Sequence, residues 1–312
     1  MNINNRTRTI LADLSLVIIA MIWGISFVFV KVSIGVIPPM EFIGIRFVIA
    51  SLVLGIIFYK DFLKTSKKEI IAGCFIGVFL FLSFFAQTIG LQYTTPGKSG
   101  FITGLYIVIV PFFASLYYKK FVGWLPITGA IIAFSGLGLL SVSSDELYLL
   151  GKGDLLTLIC AFGYALHILA VENYVGRFNP FVLSAVQIGF TGVLSLLYSL
   201  FFEPVTLSIP MNVWGAIAFT ALLSTCLGFL GQNVAQKFTS STHAALLLGL
   251  EAPFSLLFSV ILWGEVLTFR GFLGCLLIFV AILMIEIGPA LWSREKEKER
   301  EREVLSEPGS GV

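Results

Sequence analysis

The sequence predicts an all-α integral membrane protein of ten transmembrane helices, arranged as two inverted five-helix repeats. Three observations predict it. Of the 312 residues, 57% are hydrophobic and only 12% charged, with a mean hydropathy of +0.97. A soluble domain carries roughly 25% charged residues, so this chain cannot cover a water-facing surface and must have lipid as its solvent. Apolar runs of helix-spanning length recur from end to end. Residues also recur along the chain at a nearly constant offset.

A hydrocarbon core about 30 Å thick takes roughly 20 apolar residues per helix. Runs of that kind sit near 11–31, 39–59, 70–92, 97–118, 123–141, 153–173, 180–202, 211–236, 241–262 and 269–288. Pro38-Pro39, Thr95-Pro96-Gly97, Asn179-Pro180 and Pro210 mark short breaks with no room for a soluble domain. Backbone polar groups in lipid must satisfy one another, which selects helices as the spans. The first run has full-span length and continues into Trp23, Gly24 and Lys31 with no small-residue cleavage site, so it reads as a helix rather than a signal peptide. Cys74, Cys160, Cys226 and Cys275 lie in apolar runs without metal-site spacing and read as small core residues.

Ten spans put both termini on one side. That side collects Arg6, Arg8, Lys60, Lys64, Lys67, Lys68, Lys119, Lys120, Arg177, Lys237 and five basic residues of the tail. Lys98, Lys152, Arg270 and Lys31 fall on the other, a bias of fifteen to four. The positive-inside rule then places both termini in the cytoplasm of a cell inner (cytoplasmic) membrane protein. The expected organisation is a cytoplasmic tail at 1–10, a first repeat at 11–141, a connecting loop at 142–152, a second repeat at 153–288 and a charged cytoplasmic tail at 289–312. Alternating acidic and basic residues at 293–303 read as a solvated helical extension, and the Gly309-Ser310-Gly311 ending as linker.

The repeat is visible residue by residue. At an offset of 141, Asp13-Leu14 matches Asp154-Leu155, Trp23 matches Tyr164, Ser26 matches His167, Pro39 matches Pro180 and Arg46 matches Gln187. Gln92 with Gln236, Pro111 with Pro253 and Gly129 with Gly271 continue it at 142 to 144. Five helices is an odd number, so the second half enters the membrane from the opposite face. That is the symmetry many secondary transporters use for alternating access.

Trp23-Gly24 followed by Ser26-Phe27, Arg46-Phe47 after Pro38-Pro39, Glu251-Ala252-Pro253 and Trp263-Gly264-Glu265 resemble the EamA branch of the drug/metabolite transporter superfamily over residues 11–288. The resemblance implies a basket-shaped bundle around a central cavity lined by helices 1, 3, 4, 6, 8 and 9. It also implies export or uptake of small metabolites, often amino acids, by secondary transport; the expectation is a secondary active or facilitative transporter working as an exporter. The chain departs from the pattern at Ile109-Val110-Pro111, where many members carry a glutamate, and near Lys120-Phe121-Val122-Gly123, which lacks the glycine-glutamate pair.

Polar side chains at mid-span depth face a bundle interior or a wet cavity. Glu251 lies about 15 Å from either end of its helix at 1.5 Å per residue. It can carry a proton, hold a substrate ammonium, or serve as a packing carboxyl beside Pro253. His167, with Tyr164 on the same face, is either a titrating group or a neutral interhelical hydrogen-bonding one. Trp23 and Ser26 hold the equivalent places on helix 1, where an aromatic suits apolar or cationic groups or simple packing. Gln87, Thr103, Tyr106, Gln232 and Asn233 offer neutral donors and acceptors for a pocket or for joining helices. Arg46, about 10 Å inside helix 2, can snorkel, pair with Glu41 or receive a carboxylate. Gly73/Gly77 and Gly100/Gly104 have close-packing spacing. Pro111 and Pro253 should kink helices 4 and 9 and are gate or hinge candidates.

An enzyme would need clustered nucleophile, base or metal ligands, and the two histidines, His167 and His243, fall on different helices with no nucleotide loop. The expectation is a non-enzyme with no catalytic residues, metal or other cofactor. A channel would call for a charged ring or filter, and a membrane scaffold gives no reason for an inverted repeat. The expected partners are a small-molecule solute, with or without protons, and membrane lipid, with no nucleic acid.

Overall fold

The computed structural model describes residues 5–119, 121, 123–141, 151–204, 206, 208–281 and 283–284. The predicted connecting loop and charged tail lie almost wholly outside these. The described chain is helical: α1 Asn5–Ser33, α2 Pro39–Ile57, α3 Lys67–Leu91, α4 Pro96–Tyr118, α5 Trp124–Ser141, α6 Lys152–Val175, α7 Pro180–Phe202, α8 Met211–Gln236, α9 (241–263) and α10 Phe269–Ala281. Eight of these are long and apolar enough to cross a membrane; the apolar parts of α5 and α10, Ile127–Leu137 and Phe269–Ala281, are shorter. Helix α1 already begins at Asn5, inside the segment read as a tail.

The predicted breaks are helix starts. Thr95, Asn179 and Ser240 cap α4, α7 and α9 through side-chain oxygens, and Pro39, Pro96 and Pro180 occupy first-turn positions where no amide donor is needed. Ser66 caps α3 in the same way. Large apolar side chains such as Leu52, Ile71, Phe75, Leu200 and Leu276 are exposed on the outside of the bundle. In water such a belt would be untenable; against acyl chains it is the expected surface.

Helix packing falls into exchanging pairs. α1 packs on α8 as α3 does on α6; α1 packs on α9 as α6 does on α4; α2 packs on α8 as α7 does on α3. α2 with α7 and α4 with α9 are their own counterparts. Small residues bring these backbones together. A Cβ at Gly24 would meet Phe254 Cβ of α9 at 2.5 Å, and one at Gly136 of α5 would meet the Gly274 carbonyl of α10 at 2.7 Å. The paired glycines also sit at contacts: Gly73 and Gly77 against Val186 and Phe190 of α7, Gly100 and Gly104 against Ser255 and Ala252 of α9.

The two ends of the bundle carry corresponding contacts between a basic side chain and an aspartate. Lys98 of α4 lies 2.7 Å from Asp154 of α6, and His243 of α9 lies 3.2 Å from Asp13 of α1. Both helices α4 and α9 are interrupted. α4 tightens at Gly104–Leu105 and α9 at Leu250, where Leu105 (φ −61°, ψ −13°) and Leu250 (φ −60°, ψ −11°) adopt nearly the same backbone conformation. Amides of Leu105, Ile107 and Val108 bond three residues back rather than four, as does that of Leu250. The interruptions thus precede Pro111 and Pro253 instead of coinciding with them.

Caps, contacts to aspartate and interruptions along α4 and α9 all correspond at 145 residues, three more than the proline match. Tyr106, rather than Ile109, therefore occupies the place in α4 that Glu251 occupies in α9: each is the first residue after the interruption.

Candidate functional site

Trp23, Ser26, Gln87, Tyr164 and Glu251 line one internal cavity, and Arg46 joins them. Each is delivered by a different part of the fold. α1 presents Trp23, Ser26, Phe27 and Val30 at helical spacing; α3 presents Phe84, Gln87, Thr88 and Leu91. Tyr164 comes from α6, Ser224 from α8, and Glu251 from the point where α9 breaks. The cavity leaves only about 30 Å³ open to the centre of a water molecule. That is room for two or three waters at ~10–15 Å³ each, against ~300–1,000 Å³ for sites that enclose small molecules. The space left between these polar groups is small.

Arg46 is 2% exposed. It neither snorkels nor pairs with Glu41, whose carboxylate accepts from the Thr206 hydroxyl at 2.7 Å. Its Nε donates to Thr225 Oγ1 at 2.6 Å and its Nη2 to Ser224 Oγ at 2.8 Å. The guanidinium also lies 5.2 Å from the ring centre of Phe84 and 5.3 Å from that of Phe47. Two neutral hydroxyls and two aromatic faces hold a buried charge in place without neutralising it, which leaves it able to attract an anion.

Ser224 and Thr225 escaped the sequence reading. They belong to a π-helical stretch, Thr220–Leu227, inside α8. Such a stretch shifts the backbone ladder and frees carbonyls for side chains; the Ser224 carbonyl accepts from Trp23 Nε1 at 2.8 Å. The visible signal was a pair of small hydroxyls at mid-span of an otherwise apolar run. The wide turn itself has no sequence signature.

Glu251 is 4% exposed and lies within electrostatic reach of the Tyr106 hydroxyl. That hydroxyl has no partner in hydrogen-bond geometry. Tyr106 and Thr103 stand behind the lining; Thr103 Oγ1 accepts from Gln87 Nε2 at 3.1 Å and so orients the amide that faces the cavity. Ser26 donates to the Ile22 carbonyl of its own helix at 2.6 Å. Lys31 closes the nearby end: its Nζ donates to the carbonyls of Leu91, Gln92 and Thr94 at 2.6, 3.2 and 2.9 Å, tying α1 to the C-terminus of α3.

The other candidates lie elsewhere. His167 bonds to Gln187 of α7, Asn233 to Ser184 of α7 and Gln232 to Gln236 of its own helix; all are buried and none lines the cavity, toward the end of the bundle that bears Arg177 and Lys237. Pro111 and Pro253 flank the helix interruptions and do not line the cavity.

A family model described as "EamA-like transporter family" matches this chain twice, at residues 10–142 and 151–287. An "Uncharacterized transporter" of Archaeoglobus fulgidus is 33% identical over 280 residues, covering 90% of this chain and 87% of the relative. "Uncharacterized transporter YyaM" of Bacillus subtilis is 26% identical over 83% of this chain and 88% of its own. A solved crystal structure overlays with a TM-score of 0.68 at 19% identity, covering 88% of this chain and 96% of that one, a likeness of fold.

Proposed function

The chain belongs to the EamA-like transporter family, and from that premise we propose that it carries a small zwitterionic solute of the amino-acid type by alternating access. The observation that carries this reading is the presence of both Arg46 and Glu251 in the lining of one small cavity. A guanidinium suits the two oxygens of an α-carboxylate, and a carboxylate suits an ammonium. Trp23, Phe27, Phe84 and Tyr164 supply the apolar wall for a side chain.

Alternating access needs two halves that can exchange roles. Ten membrane-crossing helices in two inverted repeats, with both termini in the cytoplasm, meet that need. The exchanging helix contacts, the corresponding contacts to Asp154 and Asp13 at the two ends and the double family match support the reading. In the closed state Lys31 seals one end. Release of that seal opens the cavity to one side; separation of α1 from α8 and α9 opens it to the other. Glu251 couples the cycle to protons by exchanging one between the solute-free and solute-bound cavity.

Purified protein in liposomes, loaded with unlabelled amino acids and challenged with labelled ones with and without a pH gradient, tests the proposal. Counterflow of at least one amino acid is expected. Counterflow of none, across the full set, rejects the substrate class. Glu251→Gln tests the coupling separately: a variant whose transport keeps the parent's pH dependence takes Glu251 out of the proton role.

A further inference from the structure

We infer that His167, Gln187, Gln232 and Asn233 form a second, uncharged polar site for the solute, collapsed in this conformation and opening toward the Arg177–Lys237 end of the bundle. The inference rests on the alternating-access reading above and adds the residues that serve the other half of the cycle.

The first observation is unsatisfied chemistry. All four side chains are at most 1% exposed. Each anchors itself through one polar group. The His167 Nε2 to Gln187 Oε1 distance is 2.7 Å, Asn233 Nδ2 donates to Ser184 Oγ at 2.8 Å, and Gln232 Nε2 donates to Gln236 Oε1 at 3.0 Å. Each leaves its other group without a partner: His167 Nδ1, Gln187 Nε2, Gln232 Oε1 and Asn233 Oδ1. Buried polar atoms are nearly always satisfied, so four orphans around α6, α7 and α8 ask for an occupant. One donor, two carbonyl acceptors and a ring nitrogen match the carboxylate and ammonium of a zwitterion without supplying a full countercharge.

The second observation is position. His167 corresponds to Ser26 and Gln187 to Arg46 at the repeat offset of 141, and Gln232 to Thr88 at 144. Ser26, Arg46 and Thr88 all line the existing cavity. Three of the four, His167, Gln187 and Gln232, therefore stand where the exchange of halves would carry that lining, on the opposite side of the bundle, and Asn233 adjoins Gln232 on α8. An open groove already lies at that end, lined by Arg177, Asn179, Phe181, Val234, Lys237 and Phe238. Val234 and Lys237 bring the same helix, α8, that carries Gln232 and Asn233 to this groove. The contact closing the way from the other cavity is tight: a Cβ on Gly228 of α8 would meet Trp23 Nε1 at 2.5 Å.

Thiol labelling tests this without knowledge of the solute. Gln232→Cys and, separately, Ser26→Cys are made in a chain with Cys74, Cys160, Cys226 and Cys275 replaced by alanine. Each is treated in sealed vesicles of both orientations with a membrane-impermeant methanethiosulfonate. The expected result is labelling of the two positions from opposite faces. Asn233→Cys serves in place of Gln232→Cys if gel filtration shows the latter misfolded. Labelling of the second-site cysteine from neither face, or from the same face as Ser26→Cys, overturns the inference and leaves a buried hydrogen-bonded cluster. Opposite-face labelling without counterflow of any amino acid sustains the second site while rejecting the substrate class. Where counterflow is measurable, Gln187→Leu should slow it roughly tenfold, the worth of one lost hydrogen bond to a charged group; an unaltered rate counts against the site.

Discussion

Arg46 Nε donates a 2.6 Å hydrogen bond to Thr225 Oγ1, joining α2 to the π-helical stretch of α8 across 179 residues of chain. The bond fixes where the cavity's one guanidinium points. Arg46→Lys keeps a charge but loses the planar fork and its two anchors. Apparent affinity should fall about 10–100-fold, as expected for a lost charge-assisted hydrogen bond of ~1.5–3 kcal/mol. Half-saturation in counterflow measures it; an unchanged value would separate Arg46 from the solute.

Thr225→Val removes the acceptor and keeps the shape. It should cost about 1 kcal/mol of stability and lower affinity less than Arg46→Lys does, because Ser224 Oγ still holds Nη2. Thermal unfolding in detergent and counterflow half-saturation, read together, check the order of the two variants. A Thr225→Val effect larger than that of Arg46→Lys would show that the anchor matters more than the charge.

α4 and α9 meet at Gly100. A Cβ there would lie 2.4 Å from Ser255 Cβ, a contact that must be relieved by moving a helix. Gly100→Ala should destabilise the bundle by ~1–3 kcal/mol. Adding Ser255→Gly should recover most of the loss, since it removes the opposing atoms. Melting temperatures of the single and double variants decide this; no recovery would place the strain elsewhere.

Glu265 tests a structural role for the Gly264-Glu265 pair. Its carboxylate accepts from the Gly97 amide at 3.0 Å, from the Thr95 hydroxyl at 2.5 Å and from the Ser259 hydroxyl, at the N-terminus of α4. Gly264 makes the necessary turn with φ +73°. Glu265→Gln weakens a charged cap at a helix N-terminus, worth ~0.5–2 kcal/mol. A lower melting temperature with unchanged half-saturation is expected; a changed half-saturation at unchanged stability would argue for a role at the cavity.

Much of this was legible in sequence because lipid imposes simple rules. Apolar length locates helices, and proline and small polar residues locate their starts, as at Thr95-Pro96 and Asn179-Pro180. Depth along a span marked Trp23, Ser26, Gln87, Tyr164 and Glu251, all of which line the cavity. Depth gives no azimuth, however. His167, Gln232 and Asn233 were marked by the same rule, yet they do not line the cavity. Arg46 had three open readings, and its two hydroxyl partners lie on a helix whose wide turn leaves no local mark.

The sequence by itself determined that the chain is a helical membrane protein and which residues recur between its halves, because hydrophobic length and repeated identity are properties of the chain alone. Only the tertiary structure decided that Arg46 and Glu251 share one cavity, that Tyr106 stands where Glu251 does, and that four polar atoms near His167 lack partners. Those facts depend on helix rotation and on where a ladder tightens or widens, which packing between distant segments sets.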